Sequence, residues 1–366
     1  MWEAFREHLE VLWAALIALG IVVALTPAVG GMARLLGVVD NPGGRRINRR
    51  PIPRLGGLAM FIGFLVPSLA FLDLTRELRG ILIGAAVATT VGAIDDFRGL
   101  PWLPKLAGQA AAAAIPTAFG VWVDHFTLPF VGVHTLSAWV GIPLTVVWIL
   151  AIMNMVNFLD GLDGLAAGVV GIAALAFFIY SYLLSKSYFP ANVFTNAAFV
   201  TAAVLGCCVG FLPHNFHPAR LFMGDSGALL LGLLLASATI SITGNVDPSQ
   251  FTGGSVTAAL LPIVVPLAVL SLPFLDMVFA VVRRTLAGQR PWHPDAKHLH
   301  HRMLEIGHGH RTAVLILYLW AALLSLGTVS FAFVEGWRAA LGIAVASVAA
   351  VALTVWLPRW SAARRL

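Results

Sequence analysis

Long, continuous apolar runs are the feature of this sequence that most restricts its fold. Apolar residues make up 59% of the 366 residues and charged residues only 11%, too few charges to cover a soluble fold of this size. Each run approaches the roughly 20 residues that a helix needs to cross a bilayer, whereas a β-barrel would show alternating segments of about ten. The runs lie at about 11–29, 55–72, 80–94, 106–123, 137–157, 165–183, 195–213, 227–243, 257–282, 313–333 and 338–357. We therefore predict an all-α, polytopic membrane protein with about 11 transmembrane helices in a single domain spanning residues 1–366.

The distribution of positive charge predicts the orientation of these helices. If the loops alternate between the two faces, 18 of the 23 lysines and arginines fall on one face. The other face receives only Arg6, Arg76, Arg79, Lys186 and Arg338. Because cytoplasmic loops are enriched in lysine and arginine, the N-terminus is predicted outside and the C-terminus in the cytoplasm of a multi-pass inner (plasma) membrane protein. The net charge of +6 then reflects topology, and no nucleic-acid partner is expected.

Five aspartates lie at the predicted cytoplasmic ends of spans that are separate in sequence: Asp95, Asp96, Asp160, Asp163 and Asp225. Each of them abuts hydrocarbon and needs a partner. A solvated helix end would explain any single one of them. Their shared level predicts a polar pocket, and hence an active site, at the cytoplasmic face.

Two of these groups indicate a cation. The adjacent carboxylates of Asp95 and Asp96 repel each other, so a divalent cation or a basic neighbour such as Lys105 is expected beside them. A second set of oxygen-bearing side chains recurs every three positions: Asn154, Asn157, Asp160 and Asp163. Such spacing places them on one side of a helix, where they can ligate a metal or hydrogen-bond a polar substrate. A hydrogen bond between packed helices is the alternative for a single asparagine.

The segment 213–227 combines polar, aromatic and acidic residues just before a span. Asp225 and Ser226 can cap the helix that follows, or the helix N–H groups can bind an anion. Phe222 beside this turn can stack on a flat ring or pack at the interface.

Two basic segments complete the pattern. His298, His300 and His301 lie beside Lys297 and Arg302, a combination that suits phosphate oxygens better than zinc, because regular zinc-ligand spacing is lacking. A run of arginines ending at Arg54 either fixes topology at the lipid headgroups or retains an anionic substrate. Oxygen ligands for Mg²⁺ and cations for phosphates together favour phosphoryl transfer at the lipid boundary.

Five ordered motifs resemble one family. PIPRLGG, DD, NMVNFLDGLDG, FMGDSGA and HLHHRML are similar to those of the polyprenyl-phosphate N-acetylhexosamine-1-phosphate transferases, members of glycosyltransferase family 4. Within that family, the chain looks most like the bacterial undecaprenyl-phosphate N-acetylglucosamine-1-phosphate transferases, over about Asp40 to Arg311. The resemblance implies transfer of N-acetylglucosamine-1-phosphate from UDP-N-acetylglucosamine to undecaprenyl phosphate, with release of UMP. The reaction that the resemblance implies is the first membrane step of cell-envelope glycan synthesis.

The resemblance also implies roles for individual residues. Asp225 and Asn157 would ligate Mg²⁺, with Mn²⁺ as the alternative ion. Asp95 would deprotonate or position the lipid phosphate beside Asp96 and Lys105, and Asp160 would lie at the polar centre. The residues that would contact the nucleoside are Asp163, Asn215 and Phe222. Those that would contact the donor phosphates or sugar are His298, His300, His301 and Arg302. Asn154 and Arg54 join the substrate-binding set from their positions in the sequence.

Several alternatives remain. A phospho-N-acetylmuramoyl-pentapeptide transferase shares the first four motifs but differs in the histidine segment. A transporter of an anionic lipid or nucleotide sugar would place ionisable residues near the midplane and on both faces, and a scaffold would leave the acids without a purpose. A homodimer is one option for assembly. For the reaction, we predict direct attack by the lipid phosphate rather than a covalent aspartyl intermediate.

Overall fold

The structure, a computed structural model, is almost entirely helical where it describes the chain. It describes residues 9–41, 50–128, 132–187, 192–243, 264, 267–268, 271–288, 303–331 and 334–363. The helices are α1 (Leu9–Leu35), α2 (Gly56–Phe71), α3 (Arg76–Arg98), α4 (Trp102–Ala118), α5 (Ala138–Leu159), α6 (Leu165–Ser187), α7 (Asn192–Asn215), α8 (Gly224–Thr243), α9 (Ser271–Leu286), α10 (His310–Ser330) and α11 (Gly336–Ala363). Each predicted apolar run overlaps one of these helices.

The multi-pass membrane character is confirmed. Eight of the described helices are long and apolar enough to cross a bilayer. The helices α2, α4 and α9 are shorter, with 16, 17 and 16 residues. The count of eleven spans and the orientation of the chain therefore stay predictions.

Two short antiparallel hairpins interrupt the helices. The first pairs β1 (Val39–Asp40) with β2 (Ile52–Pro53), and the second pairs β3 (His125–Leu128) with β4 (Gly132–Thr135). The first hairpin connects α1 to α2 and is tied to the segment before α8. Phe222 N–H donates to the Pro53 carbonyl at 2.9 Å, and Gly56 N–H donates to the Phe222 carbonyl at 3.0 Å. The PIPRLGG and FMGDSGA motifs are thus held side by side.

Helix α8 lies at the centre of the bundle. In the most apolar 18-residue stretch of α8, 89% of the residues are buried, whereas in the corresponding stretch of α11 only 11% are buried. It packs against α3, α5, α7 and α2. A helix that is apolar on every side is typical of such a central position. Its first turn, which carries Asp225, is consequently surrounded by the ends of other helices.

Glycines bring α2 and α3 up to this first turn. A Cβ on Gly57 would lie 2.1 Å from the Gly227 nitrogen, and a Cβ on Gly92 would lie 2.4 Å from the Ser226 nitrogen. The atoms in the way are backbone atoms, which cannot turn aside as a flexible side chain can. These positions need glycine because the helices touch at the level of their backbones.

A Gly57→Ala variant is therefore expected to be less stable than the wild type. Overpacking of this kind costs on the order of 1–3 kcal/mol, so the thermal unfolding midpoint in detergent should fall by several degrees. Gly31→Ala in α1 is the matched control, because a Cβ there meets no atom within 4 Å among the described residues. Equal midpoints for the two variants would contradict the close approach of α2 and α8.

Candidate active site

The side chain of Lys105 joins two carboxylates from different helices. Its Nζ lies 2.8 Å from Oδ2 of Asp95 and also contacts Oδ2 of Asp225. Helix α3 ends in a left-handed glycine, Gly99, and α4 begins three residues later, so the chain turns sharply and brings Lys105 back to Asp95. The sequence predicted a basic neighbour or a metal beside Asp95, and the structure places the lysine there.

Asp225 also receives a hydrogen bond from α5. Asn157 Nδ2 donates to Asp225 Oδ1 at 2.8 Å. Both carboxylate oxygens of Asp225 are therefore engaged, one by Asn157 and one by Lys105. The side chain of Asp225 is 18% exposed, so the group is close to the surface of the bundle and still partly in contact with solvent.

Asp96 caps the N-terminus of α8 from a different helix. Its Oδ1 accepts the Asp225 N–H at 2.9 Å, and its Oδ2 accepts the Ser226 N–H at 3.1 Å. The sequence left open whether α8 is capped by its own residues or presents these N–H groups to an anion. The anion in the structure is Asp96, which satisfies two free donors of the helix and fixes the position of Asp225.

Asp160 follows directly after α5 and is partly buried. Burial raises the pKa of Asp160 to about 7; the charge of Arg54 opposes the shift, and the Asp225 carboxylate adds to it. Arg54 itself lies 3.8 Å from Asp40, and its Nε is buried without a hydrogen-bond partner among the described residues. The positive charge of Arg54 therefore acts on the cluster although the side chain is anchored at the first hairpin.

The cluster carries more negative than positive groups: Asp95, Asp96, Asp160 and Asp225 against Lys105 and Arg54. It gathers the ends of α3 and α5 with the beginnings of α4 and α8. This arrangement suits a bound cation and phosphate groups better than it suits an apolar ligand. The predicted convergence of four of the five aspartates is observed.

Asn154 has a different surrounding from the one that its spacing suggested. Its Nδ2 donates to Gln109 Oε1 at 2.9 Å, and Gln109 Nε2 donates back at 3.4 Å. The hydrogen bond between packed helices, left open above, is what the structure shows for this residue. Sequence analysis missed Gln109, although a single amide within an alanine-rich run was a usable signal.

Asp163 and Asn215 lie in a second polar cluster. Asn215 is 1% exposed; its Oδ1 accepts the Gly164 N–H at 3.0 Å, and its Nδ2 donates to the Leu221 carbonyl at 3.0 Å. Asp163 Oδ2 lies 2.7 Å from His217 Nδ1 and also accepts the Ala219 N–H. Both side chains thus tie the turn after α5 to the segment before α8.

Of the remaining predicted site residues, the structure describes only Phe222. Phe222 is half-buried next to the first turn of α8, with its backbone bonded to the first hairpin. His298, His300, His301 and Arg302 lie outside the described residues. Their predicted contacts with donor phosphates or sugar stay predictions.

Fold and site together define a class: a multi-pass membrane enzyme whose polar centre, rich in carboxylates, lies at one end of an apolar helical bundle. Comparison with known proteins identifies the family. The sequence model of the family described as "Glycosyl transferase family 4" matches residues 78–243. A decaprenyl-phosphate N-acetylglucosaminephosphotransferase of Mycolicibacterium smegmatis is 38% identical over 335 residues, 88% of this chain and 82% of that protein. The chain therefore belongs to glycosyl transferase family 4.

Two further relatives are informative. A probable undecaprenyl-phosphate N-acetylglucosaminyl 1-phosphate transferase of Bacillus subtilis is 34% identical over 325 residues, 88% of this chain and 86% of that protein. A phospho-N-acetylmuramoyl-pentapeptide-transferase of Desulforudis audaxviator is 28% identical over 318 residues, 80% of this chain and 87% of that protein. The identity to the Mycolicibacterium smegmatis and Bacillus subtilis relatives, both named for N-acetylglucosamine, is thus higher than the identity to this pentapeptide transferase.

Proposed function

We propose that this protein transfers N-acetylglucosamine-1-phosphate from UDP-N-acetylglucosamine to a polyprenyl phosphate, giving a polyprenyl-pyrophosphoryl sugar and UMP. The observation that carries the proposal is the bridge of Lys105 between Asp95 and Asp225, set among further carboxylates at the end of the bundle. Both substrates are anionic, and one of them is anchored in lipid. A polar cluster at the membrane boundary with cations close to carboxylates is the kind of site that can bring them together.

We also propose that the site lies at the cytoplasmic face of the plasma membrane. Support comes from the excess of lysine and arginine on that side of the predicted topology. The first loop and the segments around Asp160 and Asp225 are then on the same side as a soluble nucleotide-sugar.

We further propose that the protein uses Mg²⁺, with Mn²⁺ as the alternative ion. The donor atoms that the site offers are carboxylate and amide oxygens, which hard divalent cations prefer, and the cluster has an excess of negative charge. The ammonium group of Lys105 lies between Asp95 and Asp225, and the carboxylates of this cluster still outnumber its cationic side chains. Asp225 and Asn157 would hold the ion, which supplies charge neutralisation on the donor pyrophosphate when bound.

The reaction that we propose is a direct displacement. An oxygen of the lipid phosphate forms a bond to the phosphorus that carries the sugar, while the bond from that phosphorus to the bridging oxygen breaks and UMP leaves with the electron pair. Lys105 offsets the repulsion between the two anions, and Asp95, held by the Leu100 N–H at 2.5 Å, fixes the ammonium group. Asp96 keeps Asp225 in place through the α8 backbone. No covalent intermediate on the protein is required.

The sugar specificity can be tested with a pair of donors. Purified protein with Mg²⁺ and decaprenyl or undecaprenyl phosphate should convert UDP-N-acetylglucosamine to a lipid product whose mass matches the pyrophosphoryl sugar. UDP-N-acetylmuramoyl-pentapeptide, offered under the same conditions, should give at least about 100-fold less product, because an enzyme discriminates between donors by contacts that only one of them makes in the transition state. Preference for the pentapeptide donor would select the alternative transferase. Failure of both donors would favour a transporter or a scaffold.

A further inference from the structure

His217, in the segment between α7 and α8, is held in place by three separate contacts. Its Nδ1 lies 2.7 Å from the Asp163 carboxylate, and its ring stacks on that of His310 with 4.1 Å between centroids and 14° between planes. Its backbone carbonyl accepts a hydrogen bond from Arg311 Nε at 3.0 Å. Side chain, ring face and backbone are thus each fixed by a different residue.

A metal site does not explain this arrangement. Asp163, His217 and His310 offer three ligand atoms within 4.8 Å of one another. The two imidazole planes, however, are nearly parallel and stacked, so their in-plane lone pairs do not point to a common centre. The same stack instead covers one face of the His217 ring.

The second ring nitrogen of His217, Nε2, belongs to a partly exposed side chain. The side chain of His217 is 36% exposed, and Nε2 has no hydrogen-bond partner in the part of the chain that the structure describes. A carboxylate that accepts from one imidazole nitrogen sets the tautomer and leaves the other nitrogen for a ligand. An oriented histidine with a free ring nitrogen is typical of residues that bind or react, because its rotamer entropy is already lost before the ligand arrives.

The surroundings of this nitrogen favour the donor over the lipid. The residues that hold the ring are polar or charged, and Asp163 is three positions from Asp160, whose pKa responds to the charge of Asp163. Helix α10, which supplies His310 and Arg311, also reaches the turn after α5, where the Tyr318 hydroxyl donates to the Gly164 carbonyl. The donor, which carries charged phosphates and a polar nucleoside, matches these polar partners better than an isoprenoid chain does.

We propose that Nε2 of His217 donates a hydrogen bond to an oxygen of the uridine nucleotide in the donor, with Asp163, His310 and Arg311 as positioning residues. This inference rests on the proposed function. The oxygen belongs either to the nucleoside or to a phosphate; the hydrogen bond is the same in both cases.

A pair of amide variants separates this role from a structural one. The amide of asparagine occupies the place of Nδ1, and the amide of glutamine reaches the place of Nε2. His217→Asn keeps a donor for Asp163 and loses the ligand contact, so the KM for UDP-N-acetylglucosamine and the inhibition constant of UMP should rise about tenfold. His217→Gln should stay within about threefold of the wild type, and the KM for polyprenyl phosphate and kcat should stay within about twofold for both. If His217 served only to hold the loop through Asp163, His217→Gln should raise the donor KM and the inhibition constant of UMP more than His217→Asn does.

Inhibition by uridine locates the oxygen. Weaker inhibition of His217→Asn by both uridine and UMP assigns the contact to the nucleoside, and weaker inhibition by UMP alone assigns it to the phosphate. Both results support the inference. A change in the KM for the lipid with an unchanged KM for the donor overturns it, as does a greater loss in the glutamine variant than in the asparagine variant.

Two further variants and a binding measurement separate this role of His217 from an effect on folding and from the proposed function itself. His134→Asn replaces an exposed histidine on β4, ahead of the opposite end of α5, and should leave all constants unchanged. If His217→Asn does not fold, His310→Ala removes the stacked ring and should raise the donor KM alone by about threefold. The binding of UMP in the absence of lipid is also measured by calorimetry, for the wild type and for each variant. Wild-type protein that binds UMP but does not turn over contradicts the proposed function, whereas wild-type turnover with unchanged donor constants in every variant contradicts only this inference.

Discussion

Asp225→Asn is expected to lower kcat at least about 1000-fold while the protein still inserts and folds. Asparagine keeps the size of the side chain and can still bond Asn157, but it removes the negative charge that pairs with Lys105. It also removes the carboxylate that would hold a divalent cation. Turnover of UDP-N-acetylglucosamine, measured as UMP release at saturating substrates and Mg²⁺, gives the effect directly.

The control for this variant is Asp73→Asn. Asp73 is exposed in the loop before α3, at the other end of that helix from Asp95. Its replacement removes the same charge and should leave kcat unchanged. A kcat for Asp225→Asn within about tenfold of the wild type would contradict a role for this carboxylate in the reaction.

Lys105→Met is expected to lower kcat about 100- to 1000-fold, because the ammonium group lies between two carboxylates that otherwise repel each other and any incoming phosphate. Methionine fills a similar volume, so the loss should reflect charge. The pyrophosphoryl-sugar lipid, quantified over time, reports the rate.

Arg98→Met is the matched charge-removing control. Arg98 ends α3 a few residues after Asp95 and is exposed, so its loss should leave the rate within about twofold. If Lys105 served only to occupy a metal position, its loss would strengthen Mg²⁺ binding without lowering kcat. Tighter Mg²⁺ binding at unchanged kcat would therefore contradict the catalytic role.

The main features of the fold follow from the sequence because a bilayer imposes them. Apolar runs of roughly span length are forced to be helical, since backbone groups in lipid have no other partners. Polar side chains next to such runs are costly, and this cost is why Asp95, Asn157 and Asp225 could be expected to meet. The comparisons confirm the family that the ordered motifs resembled.

The pairings inside the site were less predictable. Nothing in the local sequence distinguishes Asp96, which caps α8, from its neighbour Asp95, which binds Lys105, because the difference depends on how α3 crosses α8. The partner of Asn154 is set by the packing of α4 against α5. The stack of His217 on His310 joins positions 93 residues apart, and neither residue lies in a periodic pattern that indicates the contact.

The most direct test of the central claim is the dependence of UMP release on both partners of the reaction. Wild-type protein with UDP-N-acetylglucosamine should release UMP only when polyprenyl phosphate and Mg²⁺ are both present, in equal amounts with the lipid product. Addition of a chelator should stop the reaction, and Mg²⁺ or Mn²⁺ should restore it. UMP release without the lipid would contradict direct transfer, and full activity in the presence of the chelator would contradict a metal at Asp225.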